Sequence, residues 1–160
     1  MSTIENHPEK NIIRVQLTQN AVLSELTIDE RKELEQLLVV IDCPKGDYLL
    51  HQGVTDMEQY FVLDGILKRV VSNDQAKEMI LRFSDERDME TSYAAWRLGS
   101  PTPYSIVSVT KARVAKLPLP QWVAFMDRHP SIKASFEYSV MRLMSEIISG
   151  AALPSSSNRP

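Results

Sequence analysis

Four carboxylates crowd one short stretch of the chain, Asp85-Glu86 and Asp88-Glu90, and paired carboxylates are the usual material of acid–base catalysis. No nearby histidine, lysine or nucleophile completes a constellation with them, so they read as a solvated turn. Histidine is scarce: His7 lies in a polar N-terminal stretch, His129 at a helix boundary, and only His51 on a strand. A metal site on a β-roll needs several His and Glu ligands converging from neighbouring strands, and this set is too small for one. The single cysteine, Cys43, can close no internal disulfide and cannot supply the thiolates of an iron–sulfur cluster or structural zinc site. No catalytic residue and no metal ligand is therefore expected, and the chain does not read as an enzyme. Cations remain: Arg82, Arg87 and Arg97 could each meet an anion, although an arginine is more often a solvated surface residue.

The balance of 18 Lys and Arg against 21 Asp and Glu, a formal net charge of -3, gives no electrostatic reason to expect phosphate-backbone binding. With 160 residues, 43% of them apolar, the chain fits one globular domain with flanking helices. Its start, MSTIENHPEK, is polar where a secretory signal would be basic and then apolar. No apolar run approaches the roughly 20 residues of a membrane span, so a cytoplasmic setting is expected.

Several elements must position any site. Residues 1–11 are polar and expected to be flexible, and a helix falls somewhere between Ile12 and Leu26. Thr27 followed by Glu30 is a capping box, and Ile28, Arg31, Leu34, Leu37, Leu38 and Ile41 recur at helical spacing, which predicts a helix from about Thr27 to Val40. After Pro44-Lys45-Gly46, the segments 48–51, 59–63, 67–71 and 77–83 read as short strands between Gly, Asp and Asn turns. Residues 89–97 suit one short helix, 99–103 a loop, and 104–109 and 113–117 strands again, which makes an antiparallel roll or barrel. Beyond Pro118 the period becomes helical: a short helix closed by His129-Pro130, then a long one from about 131 to 149. Gly150 is expected to cap it, leaving 150–160 as a tail or truncated linker.

The order helix, GDYLLHQG, MEQYFVLDGILK, KEMILRF, helical insert, YSIVSVTKARVAKL and long C-terminal helix resembles the sensor domain of the cyclic-AMP receptor and fumarate/nitrate regulator (CRP/FNR) family. His51-Gln52-Gly53 and Lys77 to Leu81 stand as in the family's cyclic-AMP receptor, and Gly65 falls at the family's turn glycine. The match runs from about Leu26 to Ile148. It implies a fold mainly β with flanking α: an antiparallel β-roll, jelly-roll-like, with N-terminal helices and a C-terminal dimerisation helix. Alternation along the strands predicts an interior of Leu49, Phe61, Leu63, Met79 and Leu81. Relatives include haem sensors, but a structural or surface role is the expectation for both His51 and Cys43.

In nucleotide-binding members the helical insert is a phosphate cassette, in which a Gly-Glu pair opens a short helix and an Arg-Ser or Arg-Thr pair follows the loop. Helix amides and the arginine neutralise the cyclic phosphate, while the glutamate accepts a hydrogen bond from the ribose 2′-hydroxyl. By position those places fall on Thr91-Ser92 and Thr102-Pro103. Losing two charge-assisted contacts of about 1.5 to 3 kcal/mol each weakens binding by about two to four orders of magnitude. Cyclic AMP is therefore not expected to bind in the usual mode, and no cofactor is predicted. Candidate pocket residues, by position in the cassette, are Leu81, Arg82, Thr91, Ser92, Tyr93, Trp96, Arg97, Thr102 and Tyr104, with Arg97 the nearest substitute cation. The apolar run Tyr93-Ala94-Ala95-Trp96 suggests either a different effector or a pocket filled by its own side chains.

Phe136, Val140, Leu143 and Ile147, spaced four, three and four and widened by Met144, form a helix-helix seam and the expected homodimer interface. The resemblance implies the sensor and dimerisation half of a transcription regulator, with DNA contacted only through a helix-turn-helix domain expected to be absent from this chain. The alternative is a stand-alone β-roll protein-interaction module without a small-molecule ligand.

Overall fold

The computed structural model describes the backbone of residues 1–157 and the side chains of residues 1–146. Two antiparallel sheets face each other. The first is ordered β1 (Ser2–Thr3), β2 (Val39–Cys43), β9 (Ala112–Pro118), β4 (Glu58–Asp64) and β7 (Met89–Glu90). The second is ordered β3 (Tyr48–Leu50), β8 (Ser105–Ser108), β5 (Leu67–Ser72) and β6 (Glu78–Ser84). Helices α1 (Lys10–Thr18), α2 (Ile28–Glu35), α4 (Leu119–Asp127) and α5 (Pro130–Ser157) cover the first sheet, and α3 (Tyr93–Leu98) lies between β7 and β8. This is the expected roll.

The capping box forms: Thr27 Oγ1 accepts from the Glu30 N–H at 3.1 Å, and the Glu30 carboxylate accepts from the Thr27 N–H at 2.9 Å. Helix α2 nevertheless stops at Glu35, short of the expected Val40. The β-branched residues Val39, Val40 and Ile41 pair instead with Lys116, Ala115 and Val114 of β9, and Val39 and Val40 also with Thr3 and Ser2 of β1. The N-terminal stretch is not loose. Ser2 pairs with Val40, Ile4 is buried in the core, and α1 has begun by Lys10. The expected single helix over 89–97 divides into strand β7 and helix α3, because Met89 and Glu90 pair with Phe61 and Tyr60. At the other end α5 continues through Gly150 to Ser157, so Gly150 does not cap it.

Two apolar clusters result. Tyr60, Val62, Leu67, Ile106 and Val114 fill the roll, whereas Phe61 and Leu63, expected there, point the other way and pack with the helices. Strand β4 is covered on both faces, so its alternation does not say which face is which. Strand β6 is the outer strand of its sheet, and its Met79 is 54% exposed rather than interior; Leu81 and Leu49 are half-buried.

Gly65 turns β4 into β5 with φ +89°, and a Cβ built there would lie 2.5 Å from the Lys111 carbonyl oxygen. Gly65→Ala should therefore lower stability by about 2 kcal/mol or more, read as a melting temperature about 5 °C lower. Gly46→Ala, with a similar φ but open space around it, should lose less in the same melt.

Candidate functional site

Strands β5, β6 and β7 and the loop before β8 converge on one carboxylate. Leu67 and Arg69 lie two apart on β5, so the face that seats Leu67 in the roll carries Arg69 inward as well. Arg69 is 3% exposed and meets Glu90, which is wholly buried. Its Nε and Nη2 donate to Glu90 Oε1 at 3.1 and 2.6 Å, and Nη2 reaches the Thr91 carbonyl at 3.3 Å. The other carboxylate oxygen, Oε2, accepts from Arg82 Nη1 at 2.7 Å, while Arg82 Nη2 donates to Asp88 at 2.8 Å. Burial works against the Arg82 charge, but Glu90 and Asp88 outweigh it and raise its pKa. Over this cluster lies Tyr104, with the Arg69 guanidinium 4.1 Å from its ring centre and its hydroxyl donating to the Thr91 carbonyl. Burial pushes the Tyr104 phenol up, so it keeps that proton.

Beside the cluster, Ser92 Oγ and Thr102 Oγ1 stand 3.2 Å apart, both almost fully buried, and Thr102 Oγ1 also donates to the Tyr104 carbonyl at 3.1 Å. The space left among Arg69, Tyr93, Tyr104 and Leu143 is about 30 Å³. That volume admits a water or so, whereas small-molecule pockets run from about 300 Å³ upward. Among the described residues no group of three or more His, Cys, Asp or Glu is placed to hold a metal ion. Cys43 is buried, its thiol pushed up to about 11 by loss of solvent, and His51 stacks on Tyr48 with ring centres 4.7 Å apart.

Residues 40–129 match the family of the cyclic nucleotide-binding domain. The chain belongs to that family. No curated protein matches the sequence. Solved structures share the fold of this cyclic nucleotide-binding domain at low identity. The catabolite activator protein of Thermus thermophilus superposes with a TM-score of 0.70 at 16% identity, over 85% of this chain and 63% of its own. The sensor domain of the transcriptional regulator DNR from Pseudomonas aeruginosa gives 0.72 at 14% identity, over 87% of this chain and 93% of that one. A CooA mutant from Carboxydothermus hydrogenoformans gives 0.68 at 12%, over 85% and 86%. The chain thus spans a little under two thirds of the Thermus protein's length. Among the described residues, no helix is long and apolar enough to cross a membrane.

Within this cyclic nucleotide-binding domain the structure gathers Arg82, Thr91, Ser92, Tyr93, Thr102 and Tyr104 around one place, with Leu81 half-buried on the same strand as Arg82. Arg97 and Trp96 fall elsewhere. Arg97 Nη1 donates to the Tyr93 hydroxyl at 2.6 Å, which in turn donates to Glu137 of α5 at 3.3 Å, so Arg97 faces α5 and not the roll. Trp96 packs beside Tyr93 against the helical core. The cations at the cassette are Arg82, which was among the candidates, and Arg69, which sequence reasoning missed together with Glu90. Glu90 is no part of a solvated turn; only Asp85 and Glu86 are exposed as expected. One signal was available: a charged residue two positions from Leu67 on an otherwise apolar strand face demands a buried partner.

The expected dimer residues need the same correction. Phe136, Val140 and Leu143 are buried against their own roll, with Phe136 edge-on to Trp122 and Tyr93 at 5.5 and 5.1 Å. Such a stripe requires an apolar surface opposite, and for Phe136, Val140 and Leu143 the chain supplies its own. Met144 remains exposed, joined by Tyr138 and Met141 on the outer face; the side chain of Ile147 lies outside the described residues.

Proposed function

We propose that the chain is the sensor and dimerisation domain of a CRP/FNR-type transcription regulator whose roll takes no cyclic nucleotide in the family's usual way. The observation that carries this reading is the occupied pocket: Arg69, Glu90 and Tyr104 stand where a ligand would need room, and Ser92 and Thr102 satisfy one another. With about 30 Å³ left, a nucleotide would have to displace a buried ion pair and a tyrosine before making its first contact. The chain acts as a receiver in the cytoplasm and not as a catalyst, and contact with DNA belongs to another domain.

Homodimerisation runs through the outer face of α5, where Tyr138, Met141 and Met144 are 62%, 65% and 48% exposed. The buried stripe of the same helix links that face to the roll, so a change in the cassette would reach the partner helix through Phe136 and Leu143. A ligand or partner acts on such a pair only through its differential affinity for two states. Titration calorimetry with cyclic AMP should give no micromolar binding, and sedimentation should find a dimer at micromolar concentration. Micromolar nucleotide binding would overturn the reading, and a strict monomer would favour the stand-alone interaction module.

A further inference from the structure

We propose that Arg69 and Arg82 form a carboxylate-binding site that the chain fills with its own Glu90, so that a built-in anion holds the cassette where an effector otherwise would. The inference rests on the reading that the roll takes no cyclic nucleotide. Each oxygen of Glu90 is taken by a different guanidinium: Oε1 by Arg69 at 3.1 and 2.6 Å, Oε2 by Arg82 at 2.7 Å. A free carboxylate between two arginines would adopt the same arrangement. Both arginines also hold the backbone around Glu90. Arg69 reaches the Thr91 carbonyl at 3.3 Å and Arg82 the Met89 carbonyl at 3.4 Å, so they grip the segment that leads into α3. Tyr104, just after the cassette loop, closes the far side through Arg69 and the Thr91 carbonyl.

Four separate segments, β5, β6, residues 89–91 and residue 104, are thereby tied to one negative charge. A buried ion pair is an uneconomical way to add stability, because apolar side chains of the same volume serve as well or better. Its value lies in position: the anion can be satisfied only when these segments stand in one arrangement. The domain is consequently fixed in an anion-bound form without any external effector.

The group removed by Glu90→Ala has the heavy atoms of acetate, which makes acetate the probe. In the full chain, sodium acetate should raise the melting temperature of Glu90→Ala by about 3 °C or more over sodium chloride at equal ionic strength. The unsubstituted protein and Glu90→Gln, whose side chains still occupy the space, should show no such difference. Acetamide, of the same shape but neutral, should not replace acetate. No acetate effect on Glu90→Ala, an equal effect on all three proteins, or an equal effect of acetamide would each overturn the proposal. If Glu90→Ala has no cooperative melt in chloride, recovery of its folded circular-dichroism signal by acetate becomes the readout, and no recovery has the same meaning. Cyclic AMP calorimetry on the unsubstituted protein tests the functional reading separately, so the two can fail independently.

Discussion

Arg69→Ala should cost about 3 to 5 kcal/mol, measured as the shift in the urea unfolding midpoint, because it leaves Glu90 buried with only part of its charge met. Such a loss is a large share of the roughly 5 to 15 kcal/mol that holds a domain of this kind together. The guanidinium makes three hydrogen bonds to Glu90 and Thr91 and carries the Tyr104 ring. Removing both charges is a different experiment. Arg69→Met combined with Glu90→Leu should cost less than either truncation to alanine, since no uncompensated charge remains and Arg82 keeps Asp88 at 2.8 Å. If the double variant loses the sum of the losses of Arg69→Met alone and Glu90→Leu alone, the two side chains are not coupled and the ion pair does not hold the cassette.

Trp122→Ala is the second large effect, about 3 to 5 kcal/mol from lost burial and the cavity left behind. Its ring stands 5.2 Å from Phe61 of β4, 5.8 Å from Phe125 of α4 and 5.5 Å from Phe136 of α5, so one side chain joins the sheet to both C-terminal helices. Amide hydrogen exchange should show where the loss falls. Protection in α5 should drop by more than in the β4 and β9 pair, which keeps its backbone ladder. Trp122→Phe should lose less than half as much, partly because the indole Nε1 is buried with no partner among the described residues and phenylalanine has no such group to leave unmet. Equal losses for the two variants would show that the ring's bulk is not what holds the joint.

Features that depend on neighbours in sequence were legible from it. The Thr27–Glu30 capping box, the Gly65 turn and the His129-Pro130 break between helices are local, and each stands where the residues require. Features that depend on what lies opposite were not. Spacing along α5 identifies an apolar stripe but not whose surface it meets, and Phe136, Val140 and Leu143 turned out to meet the roll of the same chain. Alternation along β4 is uninformative because both faces are covered. Four acidic residues in a row of turns look solvated until the fold brings Arg69 and Arg82 from two other strands to Glu90. The family pattern marked Ser92 and Thr102 as departures; only the structure shows that the two hydroxyls are partners.

Strand β6 ends its sheet, and it carries Met79, Ile80 and Phe83 at 54%, 47% and 57% exposure. A bare outer strand with apolar side chains is a template on which a second chain can add, and an inward-pointing charge is one of the devices that blunts it. Arg82 sits on that strand and turns inward to Glu90. A slip of β6 by one residue would turn this guanidinium to the outer face and leave the buried Glu90 Oε2 without its donor. The arginine that grips the internal anion therefore also guards the chain against aggregation along its most exposed edge.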